Sequence, residues 1–181
     1  MTKRNALLPA VLCALGLAGA PSVHAVDGLS LELGASEDDA NLVRLGLQWD
    51  WQKRWPVGQR WQIDGYWDAS LAYWSSDAPG GRDLWDLGLT PTFRLRPATL
   101  AGTRPYVEAG IGLHLLSRSR LDDRHDYGGA FQFGSHIGFG ATFGERSRYS
   151  LGYRLQHLSN ANLHDQNDGI NFHELRFGYG F

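Results

Sequence analysis

The sequence predicts an all-β chain: an eight-stranded antiparallel transmembrane β-barrel of the bacterial outer membrane. Three observations lead there. Apolar and polar residues alternate with period two along segments longer than ordinary globular strands. Aromatic residues gather at the ends of those segments, as they do at the two membrane interfaces of a barrel. After the first 25 residues no stretch approaches the roughly 20 apolar residues of a transmembrane helix.

The chain begins with Lys3 and Arg4 ahead of an apolar run from Ala6 to Ala20, followed by Val23-His24-Ala25. Positive flank, short apolar run and small-residue cleavage pattern describe a signal peptide, so residues 1–25 are expected to be removed and 26–181 to form the barrel domain. Cys13 leaves with that segment, and a mature chain of about 156 residues without a thiol excludes disulfides, thiolate metal sites and cysteine nucleophiles. The formal net charge of −2 leaves no electrostatic footprint for nucleic acid.

Strand segments are predicted at 28–36, 41–52, 60–74, 83–96, 104–117, 127–143, 148–160 and 170–181. Odd positions carry the apolar load: Val43, Leu45, Leu47 and Trp49 in the second, Leu87, Leu89 and Phe93 in the fourth, Val107, Ala109, Ile111 and Leu113 in the fifth. Even positions carry the charge, with Arg44, Asp68, Asp86, Glu108, His114, His136, Arg154 and Glu174. Odd side chains therefore face lipid and even ones the lumen. Trp49, Trp51, Trp61, Phe93, Phe143, Tyr149 and Tyr179 mark one interface, and Tyr73, Trp85 and Tyr127 the other. An even strand number closes the sheet with both termini on the periplasmic side, making 52–59, 97–103 and 144–147 periplasmic turns and 37–40, 75–82, 118–126 and 161–169 outer loops. A barrel of this size is filled by its own side chains, so it is not a pore, and the lumen charges are expected to pair.

One place breaks the lipid-facing pattern. His157 and Ser159, in Gln156-His157-Leu158-Ser159-Asn160, are both odd and close the seventh segment at the outer surface. An imidazole facing hydrocarbon costs free energy, because lipid offers it no hydrogen bond. Two residues along a strand span roughly 6.6 Å, a gap that an imidazole and a seryl hydroxyl can close. A base beside a hydroxyl is the minimum for a serine nucleophile. On spacing alone interfacial decoration is the preferred reading of the pair.

Resemblance sharpens this. His157-Leu158-Ser159-Asn160 near the end of the penultimate strand resembles the marker of the lipid A 3-O-deacylase family (PagL type). Further stretches are similar along most of the mature chain: Trp49-Asp50-Trp51, Gly65-Tyr66-Trp67-Asp68-Ala69, Pro105-Tyr106-Val107-Glu108-Ala109-Gly110-Ile111-Gly112 and Asn167-Asp168-Gly169-Ile170. The resemblance implies an outer-membrane serine esterase that removes the 3-linked acyl chain of lipid A, with His157 as general base, Ser159 as nucleophile and Asn160, or nearby backbone N–H groups, at the oxyanion. The family's acid directly follows the Asn-Asp-Gly-Ile stretch, and this chain has Asn171 there. Parity puts Asn171 outward with His157, and a strand pairing whose residue numbers sum to 328–330 sets the two side by side, so Asn171 is the expected orienter of the imidazole. Glu174 is the second choice, with an ion pair to Arg154 or Arg176 in the lumen as the alternative.

Lipopolysaccharide in the outer membrane is the implied partner, a homodimer is left open, and no cofactor or metal site is implied. Arg118, Arg120, Arg124 and His125 in the third outer loop are candidates for lipid A phosphates, or members of a solvated loop with Asp122, Asp123 and Asp126. His114 and His136 are expected in a lumen hydrogen-bond network, and His164 in the last outer loop. Rival readings are a non-catalytic barrel and a phospholipase or acyltransferase on the same architecture.

Overall fold

The computed structural model describes residues 25–99 and 101–181, so the expected signal peptide lies, apart from Ala25, outside the described residues. The strands are β1 (Gly28–Ser36), β2 (Ala40–Asp50), β3 (Trp55–Val57), β4 (Trp61–Ser76), β5 (Leu84–Pro97), β6 (Arg104–Leu116), β7 (Phe131–Phe143), β8 (Tyr149–Ser159) and β9 (Ile170–Gly180). β3 is a three-residue strand that folds back on the start of β4, pairing Trp55 with Ile63, inside what reads from sequence as a plain turn. Among the described residues the other eight form the wall. Each pairs antiparallel with its neighbours, β2 with β4 and β1 with β9 included, so the sheet closes and leaves no strand edge in lipid.

Alternation does what the sequence predicts. Every large apolar side chain that is exposed among the described residues occupies an odd position, and Leu45 and Ile137 are 61% and 63% exposed in mid-strand. Such a surface is stable only in hydrocarbon. Inside, Arg44, Arg154 and Arg176 are buried together with Glu32, Asp68, Glu108 and Glu174. Arg44 reaches Glu32 at 3.2 Å and Glu174 at 3.1 Å, and Arg154 reaches Glu32 at 3.1 Å and Glu108 at 2.9 Å. Charges removed from both water and lipid persist only in such mutual pairing.

The outer third of the lumen differs from expectation. There the even positions turn apolar: Leu42, Trp74, Leu84, Leu116, Leu158, Ile170 and Phe172 pack with Leu121 and Tyr127 from the 117–130 loop into one buried cluster. The loop thus plugs the outer mouth. Two sequence expectations change with it. Tyr127 is 1% exposed and stacks edge-on against Trp74, so it belongs to the plug and not to an interfacial girdle. β7 begins at Phe131 and not at 127, because Gly128 adopts φ +69° and donates its N–H to Asp126 at 3.0 Å, a turn that breaks the extended chain.

The longest connection, 117–130, lies at the end opposite both termini. Short periplasmic turns and longer extracellular loops orient outer-membrane barrels, so β8 runs outward and ends at outer-leaflet depth.

Candidate active site

Strands β7, β8 and β9 present one polar row to the membrane. Ser135, His157 and Asn171 are successive cross-strand partners, all odd and therefore outward. His157 Nδ1 and Asn171 Oδ1 are 2.8 Å apart, so the imidazole donates from Nδ1 and leaves Nε2 as its basic nitrogen. The pairing sum of 328 is the lower end of the range inferred from sequence.

Ser159 stands two residues beyond His157 on the same face, half-buried, one row nearer the extracellular surface. No hydrogen bond joins the two among the described residues, and rotation about their χ1 bonds spans the gap of roughly 6.6 Å. Gly169, just before β9, takes φ +65°, and a Cβ there would stand 3.2 Å from His157 Cε1. The bare backbone therefore walls the Cε1–Nε2 edge of the ring and limits its swing. The sequence signals only a turn at Asp168-Gly169 and does not reveal this contact.

Asn160 is placed elsewhere than the resemblance implies. It is even, faces inward and is fully buried. Its Nδ2 donates to the carbonyls of Tyr127 at 2.9 Å and Gln166 at 2.6 Å, its Oδ1 accepts from Leu163 N–H at 3.1 Å, and its own N–H is bonded to Asn167 Oδ1 at 2.9 Å. The amide ties the end of β8 to two outer loops and is not aimed at the lipid-facing row.

Glu174 lies on the inner wall, on the opposite face from His157, and its ion pair is with Arg44. Neither Arg154 nor Arg176 holds it, because Glu32 and Glu108 sit closer to those guanidiniums. Outward and one row deeper than His157, His173 shares a short hydrogen bond with Tyr153, so this second lipid-facing histidine has a partner. His114 bonds Asp86 at 2.9 Å inside the lumen, and His136 is buried there as well.

Most of the third outer loop's basic groups are paired within it or with the 37–39 turn. Arg120 pairs with Asp126 at 2.7 Å, Arg124 with Asp39 at 3.2 Å and His125 with Asp122 at 2.9 Å. Burial pushes the Asp122 carboxyl up, but hydrogen bonds from the His125 ring and the Arg124 and His125 N–H groups outweigh it and hold the group below its ordinary value. The hydrogen bond from Arg120 does the same for Asp126. Arg118 is exposed and has no partner among the described residues.

Ser135 is a small residue between Phe133 and Ile137 and carries no motif that marks it. Its parity is the signal that finds it.

Residues 41–180 match the family model described as Lipid A 3-O-deacylase (PagL). The chain is 37% identical over 170 residues to the lipid A deacylase PagL of Pseudomonas aeruginosa, covering 93% of this chain and 95% of that protein. It is 31% identical over 187 residues to the lipid A deacylase PagL of Bordetella bronchiseptica, covering 100% and 98%. A crystal structure of the outer membrane enzyme PagL superposes with a TM-score of 0.76 at 34% identity, covering 85% of this chain and 99% of that one.

Proposed function

The chain belongs to the PagL family of lipid A 3-O-deacylases, ester hydrolases of the bacterial outer membrane, and we propose that His157, Ser159 and Asn171 carry the reaction in it. The observation that supports this assignment is the His157–Asn171 hydrogen bond on the lipid-facing wall, with Ser159 on the same face at outer-leaflet depth. Lipid A resides in that leaflet, so its 3-linked ester reaches the row by lateral diffusion.

Ser159 Oγ attacks the ester carbonyl carbon while His157 Nε2 takes the hydroxyl proton. The tetrahedral intermediate collapses by breaking the bond to the sugar oxygen, and His157 returns the proton to that oxygen. Water, deprotonated by the same nitrogen, then splits the acyl-enzyme, frees the fatty acid and restores Ser159. Asn171 holds the tautomer that makes Nε2 the base. Asn160 contributes by fixing the end of β8, and thus Ser159, to the loops.

Ser159→Ala and His157→Ala are each expected to abolish release of the 3-linked hydroxy-acyl chain, read by mass spectrometry of lipid A from cells with and without the protein. Both variants should still show the heat-modifiable mobility of a folded barrel. Full deacylation by either folded variant rules the assignment out.

A further inference from the structure

On the reading of Ser159 as nucleophile, neither the Asn160 amide nor its N–H serves the oxyanion, because both are engaged with the outer loops. We propose that the Ser135 hydroxyl on β7 is a further catalytic group, donating a hydrogen bond to the ester carbonyl oxygen as it becomes the oxyanion.

The placement comes from register. Ser135 is the cross-strand partner of His157, and Phe133 is that of Ser159, so the two serines are diagonal neighbours on one face. Diagonal Cβ atoms lie about 7 Å apart, a gap that an ester carbonyl held between the two hydroxyls fills. Ser135 is half-buried amid Phe133 and Ile137, and its hydroxyl makes no hydrogen bond among the described residues. A hydroxyl facing hydrocarbon without a partner is costly, and one that meets a partner only when substrate arrives is suited to catalysis.

Direction comes from the imidazole. His157 leans toward β9, held by Asn171 at 2.8 Å and walled by Gly169. It must reach two of the three oxygens on the tetrahedral carbon, Ser159 Oγ and the departing sugar oxygen. The third, the oxyanion, therefore points away from the ring, toward β7, where Ser135 stands beside an aromatic ring that has no hydrogen bond to offer. Ser135 keeps its proton throughout, so the proton inventory of the reaction is unchanged.

The experiment compares Ser135→Ala, Ser135→Val and Ser135→Thr in the purified full barrel on lipid A in mixed micelles, with fluorophosphonate labelling mapped by mass spectrometry. The expected result for Ala and Val is a kcat lower by about 100- to 1,000-fold, the usual cost of one oxyanion donor, with KM within about twofold. Thr, which keeps the hydroxyl, should retain most of the activity, and the probe should still label Ser159. A kcat for folded Ser135→Ala within about threefold of the parent, or a loss confined to KM, overturns the donor role and leaves the Ser159 assignment standing. Labelling of Ser135 in place of Ser159 overturns both.

Discussion

Asn171 stands where the family's pattern has an acid, and Asn171→Asp tests what that exchange costs. Asp is isosteric with Asn, so the 2.8 Å contact to His157 Nδ1 is retained while a neutral acceptor becomes a charged one. A neutral hydrogen bond contributes about 0.5–1.5 kcal/mol and one to a charged group about 1.5–3 kcal/mol, a central gain of about 1.3 kcal/mol. The gain is felt where the imidazole is positive, in the transition state and not in the resting enzyme, so it appears as roughly a tenfold rise in kcat. An amide can also turn and present its NH2 group, which would make Nδ1 the acceptor and silence Nε2. A carboxylate has no such second orientation, so tenfold is a lower figure. Asn171→Leu removes the acceptor and should lower kcat by about 10- to 100-fold, matching the loss of about 1.4–2.7 kcal/mol of positioning. Initial rates of hydroxy fatty acid release from lipid A in mixed micelles, normalised to folded barrel, measure both. If the Asp variant is no faster and the Leu variant no slower than the parent, Asn171 does not orient His157.

Other outcomes follow from neighbouring contacts. Arg44→Met leaves Glu32 and Glu174 without their shared guanidinium, which should cost about 3–5 kcal/mol, seen as a lower urea midpoint in detergent. Glu174→Gln should leave kcat per folded barrel within about threefold, because the residue faces the lumen; an inactive folded variant would move the orienting role to Glu174. Gly169→Ala combines a φ of +65° with a Cβ 3.2 Å from His157 Cε1, and a displaced ring should lower kcat about tenfold; unchanged kinetics would show that the ring has room. Asp122 and Asp126 lie below the ordinary value of 3.8 in the docked outer loop, so their contribution to docking is complete above about pH 4 and is lost as pH falls through the depressed values. Pepsin nicking within 117–130 should accelerate below pH 4 and not above it, and a rate flat across that boundary would contradict the sign.

The wall was legible in the sequence because lipid on one side and a packed lumen on the other impose a single parity along each crossing strand. The same parity identified His157, Ser159 and Asn171 as one outward group and Glu174 as inward. Applied without exception it would also have turned Asn160 inward and singled out Ser135, so the motif's adjacency of Ser159 and Asn160 misled where strand geometry did not. What stayed hidden was tertiary. The outer lumen changes from charged to apolar at Leu42, Trp74 and Phe172, and period two does not reveal which side chains a loop will cover. Tyr127 looked interfacial because it is aromatic and near a strand end, yet the Asp126–Gly128 turn carries it into the plug. The short β3 hairpin is set by the local fold-back of Trp55–Val57 onto β4, which competes with a simple turn at no visible cost in the pattern.

The inward residues bear on the outward chemistry. His157 sits between Gln156, whose Oε1 accepts from Arg44 at 2.6 Å, and Leu158, which is buried in the plug. Asn171 is bracketed by Ile170 and Phe172, both buried in the same cluster, and Ser159 by Leu158 and the loop-bonded Asn160. Each side chain of the site therefore projects from a strand position whose two neighbours are clamped inside the barrel. A reaction on the outside of a wall has no pocket to hold its groups, and misplacement by about 1 Å can cost about 100-fold. Here the filled lumen takes the pocket's part: alternation that points the chemistry at lipid also points the anchors at a packed interior, so the precision of the outer face is set from within.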